Sequence, residues 1–233
     1  MKPRAIICDV YRTILEVGPP PPAVEQGWME LFQTTFGTSP ATRFEDFQQS
    51  CLEAVRASHA MARARGIVCP EVQWPGILRS VLPGFEHLPP DRRMAFQVSQ
   101  QALTRTLALA PDAAPALLQW AAEGIPLGIA SNAQGYTLHE LGAVMAPEGL
   151  SVGLFANDLV LWSWHLGFSK PDPYFFQVLS ARLSARGISA RDVLFIGDRM
   201  DNDILPARAL GMRTWHLHPE GDGGWGRLRN QLK

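Results

Sequence analysis

The strongest constraint on this chain is a change of texture along it. Ala5 to Asp9 (AIICD) is an apolar run of strand length that ends on an acid. From Ala23 to about Leu107 the sequence then reads as helical throughout. "AVEQGWMELFQTTFG" sets Val24, Trp28, Leu31, Phe32 and Phe36 at steps of three and four and stops at Gly37. "FEDFQQSCLEAVRASHAMARARG" repeats that period and also stops at a glycine. "EVQWPGILRSVL" and "DRRMAFQVSQQALTRTLALA" complete the block. Between the first run and this block lies "LEVGPPPP" (Leu15 to Pro22). Four prolines lock φ and remove donors, so this stretch reads as a stiff exit that continues no regular element.

Past residue 108 the pattern alternates. "DAAPALLQWAAEG" is helical, "IPLGIASN" is an apolar strand with a polar tip, and "GYTLHELGAVM" is helical again. "LVLWSWHLGFSKPDP" joins a strand to a loop, and "YFFQVLSARLSARG" is an amphipathic helix. "DVLFIGDRMDND" is a strand ending in acids, "ILPARALGM" a helix and "RTWHL" a last strand. Such alternation predicts a parallel sheet with helices on both faces. The expected fold is α/β: a Rossmann-like, doubly wound parallel-sheet core from residues 1–16 and 108–233, interrupted by a small all-helical cap at 17–107.

Composition narrows the function classes. The 233 residues carry a net charge of −1 with 18% charged and 46% hydrophobic residues, which leaves no basic footprint for nucleic acid or an anionic membrane. Cys8, Cys51 and Cys69 are scattered and include no CxxC pair, which argues against a disulfide framework or zinc knuckle and for a reducing compartment. The N-terminal apolar run is too brief for a signal peptide, and no segment approaches the roughly 20 apolar residues of a membrane span. The expectation is a cytoplasmic, soluble protein with a small anionic molecule as its partner, and neither nucleic acid nor membrane.

In open parallel sheets, reactive groups gather at the carboxyl ends of the strands. Four strand tips here bear chemistry: Asp9; Ser131 with Asn132; Lys170 in "GFSKPDP"; and Asp198, with Asp201 and Asp203 just beyond. Singly, each has an ordinary reading as a turn former, a helix cap or a solvated lysine. Together, in the order carboxylate, hydroxyl, lysine, acidic cluster, they point to one pocket.

That order, carried by "DVYRT", "IASN", "GFSKPDPYFF" and "FIGDRMDNDILPARALGM", resembles the haloacid dehalogenase-like hydrolase superfamily, with a helical cap inserted after the first motif. The resemblance implies roles. Asp9 would be the nucleophile that forms a covalent ester. Thr13 would hydrogen-bond within the loop and help hold that carboxylate. Ser131 would bind the non-transferring oxygens, and Lys170 would neutralise charge around Asp9. Asp9, Asp198, Asp203 and the main-chain carbonyl of Tyr11 would ligate Mg²⁺, with Asp201 in reserve. Tyr11, Arg12 and Asn132 would line the substrate site.

Tyr11 divides the reading. Phosphatases of this superfamily usually carry a second aspartate there as general acid, and a phenol with a pKa near 10 is a poor substitute at neutral pH. Tyrosine in that slot resembles the 2-haloacid dehalogenases, where halide leaves unprotonated. Those enzymes, however, lack the Gly-Asp opening kept here as Gly197-Asp198, and they carry a tyrosine where this chain has Phe176. Arg12 replaces a usual glycine. The favoured expectation is a Mg²⁺-dependent phosphatase acting on a small phosphorylated metabolite through an aspartyl-phosphate intermediate. The alternatives are a 2-haloacid dehalogenase and a catalytically weakened ligand-binding member. Aryl and acyl phosphates, with good leaving groups, would suffer least from the missing acid. His59 and His87 in the cap are candidate replacements for it, with surface positions the simpler reading. His216 and His218 read as a partly exposed strand end, and "EGDGGWG" as a tail loop without phosphate-loop context.

Overall fold

A computed structural model describes residues 2–218 and 220–232 of the chain. Five parallel strands form the main sheet in the order β5-β4-β1-β6-β7. They are β1 (Ala5–Cys8), β4 (Leu127–Ser131), β5 (Val160–Trp162), β6 (Val193–Gly197) and β7 (Arg213–His216). The central strand pairs Cys8 with Ile129 on one side and Ile196 on the other. All four of its residues are fully buried. A strand covered on both faces needs an unbroken apolar run, which is what "AIIC" supplies.

Each face has its own core. Ile6, Cys8, Trp120, Leu141 and Trp225 pack on one side, beneath α5 (Ala113–Ala122), α6 (Thr137–Met145) and α10 (Trp225–Gln231). Ile7, Phe175, Phe176, Leu179 and Phe195 pack on the other, beneath α8 (Pro173–Ala185) and α9 (Leu205–Ala209). Between β5 and α8 runs a single helical turn, α7 (Ser163–Leu166).

The interrupting block forms α1 (Val24–Phe36), α2 (Phe44–Ala64), α3 (Trp74–Val81) and α4 (Pro90–Ala102). These share a separate aromatic core of Trp28, Phe44, Phe47, Phe85 and Phe96, with Trp28 stacked on Phe47 at 4.6 Å. Gly37, at φ +73°, ends α1 by taking the left-handed conformation that glycine adopts without penalty.

Two expectations need correction at the joints. "LEVG" was expected to be irregular and "TLAL" helical. Instead β2 (Leu15–Gly18) and β3 (Thr106–Leu109) form an antiparallel ribbon, registered from Leu15 opposite Leu109 to Gly18 opposite Thr106. Pairing across a long gap overrides the local helical period of residues 103–109. The prolines begin only where the ribbon stops, at Pro19, whose carbonyl still accepts from Thr106 N–H at 3.0 Å. The expected joints at 16/17 and 107/108 fall inside this ribbon.

The helical block also touches the core through one loop. Glu71 accepts from the Ser163 hydroxyl at 2.6 Å and from Gln134 Nε2 at 3.1 Å. Trp74 N–H donates to Gln134 Oε1 at 2.9 Å, and Ser169 N–H to the Cys69 carbonyl at 2.8 Å. Among the described residues, no helix is long and apolar enough to cross a membrane.

Candidate active site

The carboxyl ends of β1, β4 and β6, with the loop after α7, bring the four sequence motifs to one cleft of about 330 Å³, lined by Asp9, Tyr11, Arg12, Asn132, Lys170, Asp198, Arg199, Asn202 and Asp203. Lys170 Nζ lies 2.8 Å from Asp9 Oδ1 and 2.5 Å from Asp203 Oδ1, with its side chain only 2% exposed. Asp9, Asp198 and Asp203 offer oxygens that all lie within 4.8 Å of one another. Asp203, at the end of a π-helical turn (Met200–Ile204), comes this close because Gly197 has no Cβ. A Cβ there would sit 2.5 Å from the Asp203 side chain. Asp201 is the exposed partner of Arg199 at 2.6 Å and stands apart from the cluster.

Electrostatics follow from this crowding. Burial pushes the Asp9 carboxyl up to about 6; Lys170 opposes the shift and Asp203 adds to it. Burial also raises Asp198, reinforced by the charge of Asp203, while Lys170 and Arg12 counter it. Burial alone would push the Lys170 ammonium down, but Asp9 and Asp203 outweigh it and hold it above its ordinary value.

The loop after β1 is built from the main chain. The Val10 carbonyl accepts from Thr13 N–H at 3.2 Å and Leu15 N–H at 2.8 Å, and Arg12 N–H donates to the Leu15 carbonyl at 2.5 Å. Arg12 adopts φ +59°, a left-handed conformation that costs a non-glycine residue ~1–2 kcal/mol. Thr13 hydrogen-bonds within the loop as expected, but only through its backbone. Its backbone fastens the loop and its carbonyl accepts from Trp225 Nε1 at 2.9 Å, but its buried hydroxyl has no partner among the described residues. The buried Ser131 hydroxyl is unpartnered in the same way. Thr13 and Ser131 thus each leave a buried hydroxyl unpartnered near the carboxyl end of the sheet. Asn132, expected against substrate, donates from Nδ2 to the Lys170 carbonyl at 2.9 Å and accepts the Lys170 N–H at 2.7 Å. Its amide brackets the lysine.

Tyr11 points into a network that the sequence did not disclose. Its hydroxyl donates to Glu140 through a short hydrogen bond and meets the Thr137 hydroxyl at 2.8 Å. Arg105 Nη2 lies 2.7 Å from Glu140 Oε1 and 3.2 Å from the phenol oxygen, and its guanidinium sits 4.9 Å from the centre of the Tyr11 ring. Burial, then the Glu140 charge, raises the phenol well above its ordinary value against the pull of Arg105. A phenol so raised is a still weaker acid at neutral pH. The cue in the sequence was Glu140, a charged residue on a largely apolar helix, α6.

The cleft draws its lining from core residues alone, and neither His59 nor His87 is among them. His87 has a largely exposed side chain beside Glu86. His216, read as a strand end, has Nε2 2.9 Å from the Asp198 carbonyl, so it braces the turn that carries that acid. The glycine-rich tail leads into α10 rather than remaining a loop, which seats the Trp225 indole under Thr13.

Comparisons with known proteins follow the same lines. A family model described as haloacid dehalogenase-like hydrolase matches residues 3–211. A glyceraldehyde 3-phosphate phosphatase of Methanocaldococcus jannaschii is 32% identical over 104 residues, 45% of this chain and 42% of that protein. The match therefore spans less than half the length of that relative. A phosphatase structure from Thermococcus onnurineus superposes with a TM-score of 0.55 at 22% identity, covering 97% of this chain and 90% of that one. A 2-haloacid dehalogenase from Pseudomonas syringae gives 0.56 at 19% identity, covering 94% and 88%. At these identities the two structures speak for the fold.

Proposed function

This chain belongs to the haloacid dehalogenase-like hydrolase family, and from that premise we propose that it is a Mg²⁺-dependent phosphatase of a small phosphorylated metabolite. The observation that carries this reading is the cluster of Asp9, Asp198 and Asp203, with oxygens within 4.8 Å of one another beside a single ammonium. Three carboxylates against one lysine leave excess negative charge, and an all-oxygen donor set suits a hard divalent cation. These three acids, with the Tyr11 carbonyl, would hold Mg²⁺, which when bound offsets charge on the phosphoryl oxygens. The phosphatase name of the archaeal relative fits the same reading.

In this mechanism an Asp9 carboxylate oxygen attacks phosphorus, and the bond from phosphorus to the leaving oxygen breaks with its electron pair on the leaving group. Lys170 holds Asp9 in place, and Asn132 holds Lys170 through its main chain. The Thr13 and Ser131 hydroxyls donate to the non-transferring oxygens. Water then attacks phosphorus of the aspartyl-phosphate, which frees Asp9 and releases dihydrogen phosphate carrying both protons of the water. Residues 17–107 act as the cap.

Because the Tyr11 hydroxyl is committed to Glu140, it does not serve the leaving group as an acid, and substrates with acidic leaving groups are favoured. A Mg²⁺-dependent turnover of acyl and aryl phosphates, lost with chelator and with Asp9→Asn, is the expected result. Activity that survives both, or its absence from every phosphate tried, would sink the reading. Tyr11 itself favours a second reading, 2-haloacid hydrolysis through an Asp9 ester. Halide release from a short 2-chloro acid in the presence of chelator would select it.

A further inference from the structure

We propose that Arg12 recognises a second anionic group on the substrate, a carboxylate on the part that is not transferred, and so selects acyl phosphates that carry one. This deepens the phosphatase reading and rests on it. Arg12 sits at φ +59°, where glycine is the unstrained choice, and the loop fixes it there through its N–H bond to Leu15. Strain of this kind clusters at functional sites; Ala23 and Asp112 adopt it too, so the position of the Arg12 side chain has to carry the rest.

The side chain supports that inference. Arg105, Arg186 and Arg199 are each paired with a carboxylate. Arg12 is exposed and has no side-chain hydrogen bond or ion pair among the described residues, yet its charge reaches Asp198. It forms a wall common to three clefts: the catalytic one, one of about 440 Å³ running to His218 and Arg227, and one of about 480 Å³ running along the ribbon. The group being transferred already has Lys170 and the Thr13 and Ser131 hydroxyls. A guanidinium at the junction stands instead where the rest of a substrate leaves the catalytic cleft, and its planar fork suits a carboxylate.

Acetyl phosphate and succinyl phosphate test this, because both expel a carboxylate and they differ in the distal carboxylate. Their affinities are measured by calorimetry with Mg²⁺ on the non-turnover Asp9→Asn protein, with and without Arg12→Gly. Arg12→Gly should lower the succinyl-to-acetyl affinity ratio tenfold or more, and Arg12→Lys should recover part of it. Arg12→Gly should also raise the melting temperature, because glycine relaxes the loop, and this excludes misfolding as the cause. An unchanged ratio, or no binding of either compound, overturns the proposal. Wild-type protein that hydrolyses neither compound defeats the phosphatase reading separately, and a shifted ratio would still support Arg12 as the reader of the second charge.

Discussion

Two polar clusters grow from the same loop after β1 and are built to opposite rules. Around Tyr11, the phenol, Thr137, Glu140 and Arg105 answer one another, one cation balances one anion, and only Arg105 Nε lacks a partner among the described residues. Around Asp9, three acids face one lysine and two buried hydroxyls lack partners. A balanced, saturated network holds structure in place. An unbalanced one with spare donors is completed by a ligand. Tyr11 therefore belongs to the first kind of cluster, and Asp9, two residues before it, to the second.

The contrast can be broken most forcefully at the nucleophile. Asp9→Asn should lower turnover by about 10³-fold or more while leaving the fold intact, because Lys170 keeps Asp203; rates read beside a melting curve check both halves. Lys170→Met should lower turnover, since it frees Asp9, and should also cost ~3–5 kcal/mol of stability, since it strands two buried carboxylates. Urea unfolding measures it, and a neutral effect would mean the acids are already relieved by other means. In the balanced cluster, Glu140→Gln should cost about 1.5–3 kcal/mol and Tyr11→Phe about 1 kcal/mol, with less than tenfold change in acyl-phosphate turnover. A loss matching that of Asp9→Asn would return Tyr11 to the chemistry.

The last effect is one of pH. Asp9 titrates in the folded protein at about 6, above its ordinary 3.8, so the native state binds the proton more tightly than the unfolded chain. The stabilisation is whole below 3.8 and is lost as pH rises through about 6. In chelator, the stability of wild type relative to Asp9→Asn should therefore decline across that window. A flat difference would show that Lys170 cancels the burial of Asp9 in full.

Much of this was readable in the chain because strand tips carry their chemistry in sequence order. Asp9, Ser131 and Asp198 each close an apolar run, the parallel sheet aligns those ends, and the loop after α7 brings Lys170 to them. What escaped reading depends on distance. Arg105 and Glu140 lie 94 and 129 residues from Tyr11, and nothing local marks them as its partners. The ribbon of β2 and β3 escaped for the same reason, since "LEVG" has no strand identity until "TLAL" lies beside it. Asn132 was placed at the right edge of the sheet, but which neighbour its amide would grip is a matter of side-chain orientation that spacing does not carry.

The ribbon has a wider consequence. Because Gly18 and Thr106 are directly opposed, the chain departs and returns at points about 5 Å apart. To the nucleotide-fold half of the molecule, nearly ninety intervening residues are topologically equivalent to a hairpin turn. Such a splice point means that the helical block can change in length without altering the register of the sheet it interrupts.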